Sequence, residues 1–306
     1  MYDVLVVGGS YAGISAAIQL GRARRSALVV DAGERRNRFV AHAHGFLGQD
    51  GQAPEAIAAK GREELRRYGT IEWRVGEVTE VRAAGSGFVT RIGGEEHASK
   101  RVILATGVVD ELPAIPGLSG RWGSSVFPCP YCHGFELDRG RIGVLAVSPM
   151  SVHHAALVAE WSAPGGTTLF LNGAFEPDEA ALADLASREI AIERELVAAI
   201  EGDAPQVALR LRDGRLPAFD GLFIATRTKM KTAFAEQLGC ELDEGPIGPF
   251  YETDVMKETT VPGLCVWRQR ERHARHRLCR RRRHARGNLG ASVAGLPPPS
   301  VNPPSA

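Results

Sequence analysis

Short apolar runs separated by glycine-rich turns open the chain and predict alternating strands and helices. The run Tyr2–Val7 is rich in β-branched residues, which is typical of a buried parallel strand. Ile14, Ile18 and Gly21 recur at helical spacing and predict one buried helix face. A second apolar run covers residues 27–31. This order of strand, turn, helix and strand predicts an α/β fold with a doubly wound parallel sheet.

The same patterns assign the rest of the chain to short elements. Amphipathic or apolar helical spacing predicts helices over residues 54–68, 152–161 and 177–187. Alternating or β-branched runs predict strands over residues 75–81, 87–92, 97–104, 141–147, 167–171, 190–200, 206–211 and 222–226. Gly93-Gly94 and Asp213-Gly214 are turn signals, and the first of them is expected to join two strands as a hairpin.

The first turn has the features of a dinucleotide-binding fingerprint. Between the first strand and the first helix it reads Gly8, Gly9, Ser10, Tyr11, Ala12 and Gly13. Gly8 allows a tight turn, Gly13 allows the helix to pack closely on the strand, and the free amides at the helix start attract a pyrophosphate. Asp31, which ends the second strand, can accept hydrogen bonds from ribose hydroxyls. Ser10 stands where the motif usually has its second glycine. Even so, the two strands, the helix between them and Asp31 together predict nucleotide binding.

Two further segments are candidates for contact with the nucleotide. Ala105, Thr106 and Gly107 end a predicted strand, and small residues there allow a cofactor to approach closely. His42 and His44 lie in the Arg-, His- and Gly-rich loop that follows the second strand. They could be ligands or bases, and we favour the interpretation that they line or cover the nucleotide site.

Two cysteines three residues apart, Cys129 and Cys132, are the strongest chemical signal in the chain. Pro130 favours a helix that starts at once, which places the two sulfurs on one face and Cys129 at the positive end of the helix. That environment favours thiolate and dithiol–disulfide exchange. A zinc site would need a second pair of ligands, whereas the other cysteines are scattered singly, so we predict no metal. The spacing of Cys129, Cys132 and His133 also fits haem c attachment, but nothing else in the sequence supports a haem protein.

Composition narrows the class of protein. A length of 306 residues suggests two domains. No apolar run is long enough to span a bilayer, and the chain opens directly on a strand, so we expect a cytoplasmic protein without a signal peptide. Five cysteines, two of them vicinal, fit a reducing compartment with a catalytic pair. The net charge of +1 hides an asymmetry, because residues 266–286 hold ten Arg and one Glu, which leaves −8 on the rest of the chain.

The fingerprint at residues 8–13, the strand end at residues 105–107 and the Cys129–Cys132 motif together resemble the thioredoxin reductase family of flavoproteins. The resemblance extends from Met1 to about Gly263 and implies two doubly wound Rossmann-like domains, the second inserted in the first. It also implies a homodimer. The implied division is a first part of an FAD-binding domain over residues 1–112, an inserted NAD(P)-binding-like domain over 113–249 that carries the cysteine pair, and a return to the FAD domain over 250–265.

The resemblance implies roles for individual residues. Cys132 would be the sulfur next to the flavin, and Cys129 would exchange with the substrate disulfide. His133 stands where the family usually has an aspartate acid/base, and an imidazole that titrates near neutral pH could move the same proton, although it could instead only cap or pack. The implied FAD contacts are Gly8, Gly9, Ser10, Tyr11, Ala12, Gly13, Asp31, His44, Val78, Ala105, Thr106 and Gly107.

The inserted domain departs from the family at its own nucleotide turn. Ala146 and Ser148 stand where glycines are expected, and Pro149 removes an amide donor. The basic residues that would bind the 2′-phosphate of NADPH are missing after the strand at 167–171. We therefore expect FAD, while NADPH stays a possible but unsupported donor. The cysteine segment also resembles a branch that oxidises small-molecule dithiols with oxygen, so the expected partner is either a thioredoxin-like protein or a small dithiol or disulfide.

The segment over residues 266–306, rich in Arg and then in Pro, admits three interpretations. It could be a nucleic-acid-binding arm on an inactive flavoprotein, since Arg runs neutralise phosphates, or a solvated disordered tail. We favour a third, an out-of-frame translation, and expect no nucleic-acid partner. The family continues after the position of Gly263 with a Gly-Asp pair that bonds the flavin and a helix that covers it. A shift of one base within the codon of Cys265 turns the Trp267 codon into glycine and allows aspartate from the Arg268 codon.

We expect the coding DNA, read one base forward from the codon of Cys265, to encode a small residue, any residue, glycine and aspartate, followed by an apolar helix. Sequencing the gene checks this expectation. Stop codons soon after the shift, or no Gly-Asp pair there, would contradict an out-of-frame tail.

Overall fold

The structure is a computed structural model that describes residues 1–267, so residues 268–306, which hold nearly all of the proposed out-of-frame tail, lie outside the described residues. The strands are β1 (Tyr2–Val7), β2 (Ala27–Asp31), β3 (Ile71–Val75), β4 (Val78–Ala84), β5 (Gly87–Ile92), β6 (Glu95–Leu104), β7 (Val108–Glu111), β8 (Val126–Phe127), β9 (Ile142–Leu145), β10 (Thr167–Phe170), β11 (Ala191–Glu193), β12 (Val197–Glu201), β13 (Val207–Leu211), β14 (Ala218–Phe219), β15 (Gly221–Ile224), β16 (Arg227–Met230), β17 (Leu242–Gly245), β18 (Gly248–Tyr251) and β19 (Leu264–Val266). The helices are α1 (Tyr11–Arg22), α2 (Pro54–Leu65), α3 (Pro130–His133), α4 (Met150–Val158), α5 (Glu179–Ser187) and α6 (Phe234–Gln237).

The first sheet contains strands from both ends of the described chain. Its order is β3-β2-β1-β6-β5-β4, and β19 also pairs with β6. β1, β2, β3, β19 and the second half of β6 run parallel, whereas β4, β5 and the first half of β6 form an antiparallel meander. Because β19 follows the whole second sheet in the chain, this arrangement confirms the prediction that one Rossmann-like unit is inserted in another.

The second sheet has the order β11-β10-β9-β15-β8, and all of its strands run parallel. Successive residues of β15 face opposite sides of it. Leu222 and Ile224 pack with the antiparallel strands β12, β13 and β14, while Phe223 packs with residues of α4 and α5. A strand that is covered on both faces needs apolar residues at every position, which explains why it reads as a continuous apolar run.

The first sheet is also covered on both faces. Val4 and Val6 of β1 pack with residues of α1 and α2, whereas Leu5 and Val7 pack with residues of the antiparallel meander. Gly21 gives α1 its close contact with the segment after α2, because a Cβ there would lie 2.6 Å from the ring of Tyr68. Both sheets are therefore Rossmann-like α/β units, as the sequence predicts, with helices on one face and antiparallel strands on the other.

Two predicted strands are each divided in the structure. The range 75–81 contains the end of β3 and the start of β4, separated by Gly76 and Glu77. β3 lies in the parallel part of the sheet beside β2, whereas β4 begins the meander. The range 190–200 likewise contains β11 and β12, which belong to different sheets. The segments between β3 and β4 and between β11 and β12 are so short that they hardly interrupt the apolar pattern. The pattern therefore predicts one strand in each range, where the structure has two.

A two-stranded ribbon of β7 and β16, which the sequence did not predict, links the two sheets. Its strands carry Asp, Glu, Arg and Lys and so lack an apolar pattern. Asp110 of β7 accepts hydrogen bonds from Arg36 at 2.7 and 2.5 Å and from the hydroxyl of Thr226 at 2.8 Å. After the ribbon, Phe234 and Cys240 pack in the core of the first sheet, so the chain rejoins that core before residue 250, earlier than expected.

His154 is a buried polar residue in α4. It is 7% exposed and stands edge-on to Phe223, with ring centroids 6.2 Å apart. Neither of its ring nitrogens has a hydrogen-bond partner among residues 1–267. Burial lowers the pKa of His154 from 6.5 to about 4, and the charge of His153 acts in the same direction. Between these two pH values the folded state binds fewer protons than the unfolded state, so stability falls as the pH drops through that window.

We expect His154→Leu to weaken this sensitivity to acid, because leucine has a similar volume and does not titrate. The loss of unfolding free energy between about pH 8 and about pH 5, measured by urea denaturation, should shrink by about 2 kcal/mol. His153→Leu, at the neighbouring exposed position, is the matched control and should change the pH dependence much less, because burial is the larger cause of the pKa shift of His154 and the charge of His153 the smaller one. Equal sensitivity to acid in the two variants would show that His154 is not the group responsible.

Candidate active site

The glycine turn brings β1, α1 and the end of β6 into direct main-chain contact. Gly8 has a φ of +106°, and a Cβ built on it would lie 2.4 Å from the carbonyl oxygen of Ala105. A Cβ on Gly13 would lie 1.8 Å from the carbonyl oxygen of Gly8. No side chain tolerates such distances, so only glycine fits at either position. The structure thus brings these three residues together, and their contact with a cofactor stays a prediction.

Asp31 lies beside this turn, at the end of β2. A Cβ on Gly9 would lie 2.5 Å from the Cβ of Asp31 and 2.4 Å from the ring of Trp73. The carboxylate of Asp31 is largely buried and accepts a hydrogen bond from the amide of Gly33 at 3.1 Å. Trp73 of β3 was not singled out from the sequence, because an aromatic residue in a strand does not reveal which neighbour it covers.

Ser10, Tyr11 and Ala12 form the start of α1. Ser10 precedes the helix without capping it through its side chain, and the first turn contains no acidic residue. The hydroxyl of Tyr11 donates to the carbonyl oxygen of Pro54 at 3.2 Å and accepts from the amide of Asn37 at 3.1 Å. A twelve-residue helix that starts without a carboxylate offers its first amides to an anion.

A cavity of about 240 Å³ adjoins Asp31 at the carboxyl ends of β2 and β3. Its walls are formed by Ala32, Glu34, Val75, Gly76, Glu77 and Lys231. In doubly wound sheets, nucleotides bind at this edge. This edge fits the adenosine and pyrophosphate of FAD, because it combines the close main-chain contacts of Gly8 and Gly13, the buried carboxylate of Asp31 and the cavity. Gly8, Gly13 and Asp31 would hold that part of the cofactor.

The remaining predicted contacts of the cofactor differ in their placement. Val78 begins β4, and its side chain is buried in the core of the first sheet, so it can offer only its main chain to a cofactor. Thr106 and Gly107 follow Ala105 at the same sheet edge as the glycine turn. Gly107 has a φ of +73° with open space around it, a conformation that favours glycine.

His44 lies near the cysteine segment. Its Nδ1 is 3.5 Å from the carboxylate of Glu136 and 3.6 Å from that of Asp50. His42 instead approaches the carbonyl oxygen of Gly51 at 3.0 Å. The contact of His44 therefore links the loop after β2 to the residues that follow the cysteine pair, while a position over the nucleotide stays a prediction.

Cys129 and Cys132 approach each other at the start of α3. The thiol of Cys132 lies 2.9 Å from the sulfur of Cys129, which is closer than two sulfurs ordinarily approach without a bond between them. Cys129 occupies the position before the helix and Pro130 the first helical position, as the sequence predicts. Both cysteines are partly exposed. Only a small movement separates this arrangement from a covalent S–S length of about 2.05 Å.

His133 stacks on Phe127, with ring centroids 4.3 Å apart and planes at 23°. Burial lowers the pKa of His133 to about 4, the carboxylate of Glu136 opposes this shift, and the charge of His44 adds to it. The ring is therefore neutral at pH 7, where it can accept a proton but is not a charged acid. This corrects the expectation of titration near neutral pH, which could not anticipate the stacking on Phe127.

The corresponding turn of the inserted unit is closed by its own residues. After β9, the amide of Val147 donates to Oγ of Ser151 at 3.1 Å, and the amide of Ala146 donates to the carbonyl oxygen of Phe170 at 2.9 Å. Pro149, just before α4, has no amide hydrogen. Two amide donors of this turn are thus used within the protein, and a third is missing at Pro149.

The position after β10 does not favour a pyridine nucleotide either. The side-chain oxygen of Asn172 accepts a hydrogen bond from the amide of Val197 at 2.9 Å and so ties this turn to β12. In the family, basic side chains would stand here to bind a 2′-phosphate. The residues present in the inserted unit therefore do not fit NADPH.

Two residues near the cysteine pair were not predicted from the sequence. Glu136 follows His133 at helical spacing, and this spacing could have suggested their electrostatic contact. Trp161 meets Tyr131 edge-on with centroids 5.0 Å apart, a contact across the fold for which the sequence carries no signal.

Within residues 1–267, no helix has both the length and the apolar character that a membrane span requires. No three His, Cys, Asp or Glu side chains of this part of the chain form a group that could hold a metal ion.

Comparisons with known proteins agree with this geometry. The family described as pyridine nucleotide-disulphide oxidoreductase matches residues 2–159. Thioredoxin reductase tcpT of Claviceps purpurea (strain 20.1) is 34% identical over 281 residues, which cover 86% of this chain and 84% of that protein. Thioredoxin reductase sirT of Leptosphaeria maculans is 34% identical over 289 residues, 87% of each chain. The crystal structure of an oxidoreductase from Agrobacterium tumefaciens is 50% identical, with a TM-score of 0.82 over 87% of this chain and 88% of that one.

We expect the ring of His133 to titrate with a midpoint near 4 in NMR spectra. Glu136→Gln should lower this midpoint further, because it removes the carboxylate that favours the charged ring. Glu160→Gln is the control and should leave the midpoint unchanged, since Glu160 pairs with Arg188. A midpoint of about 6 to 7, the ordinary range for an exposed imidazole, would contradict the buried position of the ring.

Proposed function

We propose a redox function from the family of this chain, which belongs to the pyridine nucleotide-disulphide oxidoreductases and is a thioredoxin reductase-like, FAD-dependent oxidoreductase. In this proposal Cys129 and Cys132 are the redox-active pair and exchange electrons between FAD and a dithiol or disulfide substrate. The observation that carries the proposal is the 2.9 Å separation of the two sulfurs. Cys132 is proposed as the sulfur next to the flavin, and Cys129 as the sulfur that meets the substrate.

Reduction of a substrate disulfide would take two exchange steps. The Cys129 thiolate attacks one substrate sulfur, which breaks the substrate S–S bond and releases the other sulfur as a thiolate. The Cys132 thiolate then attacks the sulfur of Cys129, which releases the second substrate thiolate and leaves a Cys129–Cys132 disulfide. FAD, when bound, supplies or removes the electron pair that interconverts this disulfide and the dithiol. Oxidation of a substrate dithiol is the same sequence reversed.

His133 is proposed to accept the proton of the attacking thiol. Its ring is neutral over the range in which thiols begin to ionise, so it is available as a base. A pKa of about 4 makes the ring a weak base for a thiol, so the proton passes through His133 to the leaving thiolate or to water and does not stay on the ring. The positioning of the ring depends on its stacking against Phe127.

FAD is proposed to bind at the edge of the first sheet. The residues proposed to hold it, through main chain or side chain, are Gly8, Gly9, Ser10, Tyr11, Ala12, Gly13, Asp31, His44, Val78, Ala105, Thr106 and Gly107. The close contacts of Gly8 and Gly13 and the buried carboxylate of Asp31 support this assignment.

A second candidate function, the oxidation of a dithiol by molecular oxygen, is favoured by the closed turn after β9. A reductase of this family usually takes its electrons from a pyridine nucleotide, whereas the amides of Ala146 and Val147 are already used within the protein. In the oxidase direction, the substrate dithiol loses two electrons and two protons and gains an S–S bond. Oxygen takes up both electrons and both protons and becomes hydrogen peroxide, so no nicotinamide is needed.

The partner is proposed to be a small-molecule dithiol or a thioredoxin-like protein. A thioredoxin-like protein as the partner is supported by the names of the relatives from Claviceps purpurea and Leptosphaeria maculans. A small-molecule dithiol as the partner is supported by the closed turn after β9, because that turn favours the oxidase direction. A cytoplasmic homodimer is proposed from the family resemblance and the vicinal thiols. Light scattering of the purified protein would give the number of subunits.

We expect Cys132→Ser to accumulate a mixed disulfide with the substrate, because the sulfur that resolves it is gone. Cys129→Ser should form none, since the attacking sulfur is missing. Mass spectrometry after reaction with an acyclic disulfide, the disulfide of 2-mercaptoethanol, checks both variants, because its second thiol leaves and cannot reverse the step by ring closure. Cys240→Ser is the control, because burial raises the pKa of that thiol and keeps it unreactive. If Cys129→Ser forms a mixed disulfide at Cys132 to the same extent as Cys132→Ser forms one at Cys129, the assigned roles are wrong.

We also expect the protein with FAD, given a dithiol but no nicotinamide, to consume oxygen and produce an equal amount of hydrogen peroxide. An oxygen electrode and a peroxidase-coupled dye measure the two quantities. Cys129→Ser should abolish both. Turnover that requires NADPH would eliminate the oxidase and favour the reductase.

A further inference from the structure

Three aromatic side chains lie in the cysteine segment or against it, and two of them are exposed. Tyr131 stands between the cysteines and is 64% exposed, and Phe135 follows the pair and is 84% exposed. The ring of Trp161 meets that of Tyr131 edge-on, with planes at 84°. We refer to these three residues as the aromatic group. Exposed rings that adjoin one another mark a binding surface more often than an accident of folding.

Trp161 is held in place by the main chain of the cysteine segment. A Cβ on Gly134 would lie 2.6 Å from its ring, so the backbone after Cys132 rests directly on the indole. Trp161 also packs on the hydrophobic cluster between α4 and the second sheet. Tyr131, by contrast, belongs to no hydrophobic cluster of the described residues. The indole is therefore a fixed platform, and Tyr131, which lies between the two cysteines in the sequence, keeps most of its side chain exposed.

We propose that Tyr131 and Trp161, with Phe135 at the rim, recognise a flat apolar ring carried by a small-molecule dithiol and so determine substrate specificity. This inference rests on the proposed function of the cysteine pair. A ring that packs on the aromatic group places thiols attached to it next to the pair. Aromatic packing of this kind is worth roughly two- to tenfold in affinity beyond the area that it buries.

The size of the aromatic group favours a small molecule over a protein. At about 200 Å² for a whole aromatic side chain, the exposed parts of Tyr131 and Phe135 offer roughly 300 Å². A standard protein interface buries about 800 Å² on each partner. Glu136 follows Phe135 and Glu160 precedes Trp161, and both are exposed. These charged residues adjoin the aromatic residues in the sequence, whereas the cores of protein interfaces are depleted of charge, so the group is better suited to a small neutral ring compound.

The test compares 1,2-bis(mercaptomethyl)benzene, which carries a ring, with dithiothreitol, which does not. Each dithiol is mixed without oxygen with protein whose Cys129–Cys132 disulfide has been formed. Loss of the disulfide is followed by alkylation and mass spectrometry, so the readout does not depend on flavin. We expect Tyr131→Ala to lower the ratio of the two rate constants, aromatic over aliphatic, by roughly fivefold.

Two further variants separate recognition by the ring from other effects. Tyr131→Phe should keep the ratio, because the ring and not the hydroxyl makes the contact. Leu216→Ala removes an exposed apolar side chain from the hairpin between β13 and β14 and should also keep it. Saturation curves should place the loss in Tyr131→Ala mainly in the half-saturating concentration of the aromatic dithiol.

Three outcomes would overturn the inference, but only the last of them would also overturn the proposed function of the cysteine pair. A ratio that Tyr131→Ala leaves unchanged, or an equal loss for both dithiols, would remove specificity from Tyr131 and leave exchange at the cysteine pair intact. A thioredoxin dithiol that reacts faster than both compounds, and that suffers the largest loss in Tyr131→Ala, would assign the aromatic group to a protein partner. If neither dithiol opens the Cys129–Cys132 disulfide, the proposed function fails and the inference fails with it.

Discussion

The contact among the main chains of Gly8, Gly13 and Ala105 constrains the rest of the first unit. A Cβ at either glycine would overlap a carbonyl oxygen, so the end of β1, the start of α1 and the end of β6 can meet only because no side chain is present. This contact sets the edge of the sheet at which Asp31 and the neighbouring cavity lie. The same edge receives β19 beside β6, where the amide of Trp267 donates to the carbonyl oxygen of Leu104 at 3.0 Å.

The inserted unit repeats this topology without the same constraint. Its turn after β9 has Ala146 and Ser148 where glycines are expected, and Pro149 lacks an amide hydrogen. The amide of Val147 donates to Ser151, and the amide of Ala146 donates to the backbone of β10. A parallel sheet needs crossover helices whether or not a nucleotide binds, so the fold does not depend on the residues of an anion site. What the inserted unit retains is a frame that holds α3 and the cysteine pair against Trp161.

Much of this could be predicted from the sequence, because the residues that carry the fold act locally. The spacing from Gly8 to Asp31 defines strand, turn, helix and strand, and β5 occupies the range Gly87–Ile92 that its alternating pattern predicts. The cysteine pair and its helix follow from Pro130. What could not be predicted depends on contacts between distant segments. The pKa of His133 is set by its burial against Phe127, the ribbon of β7 and β16 is polar, and the approach of His44 to Glu136 joins two loops.

Electrons are proposed to enter through thiols at Cys129–Cys132 and not through the turn after β9. An absorption spectrum of the protein with FAD, recorded without oxygen before and after addition of NADPH and then of dithiothreitol, tests this most directly. We predict that NADPH leaves the flavin yellow and that the dithiol bleaches it. Bleaching by NADPH would contradict the closed turn, and a flavin that the dithiol leaves yellow would contradict the role of the cysteine pair.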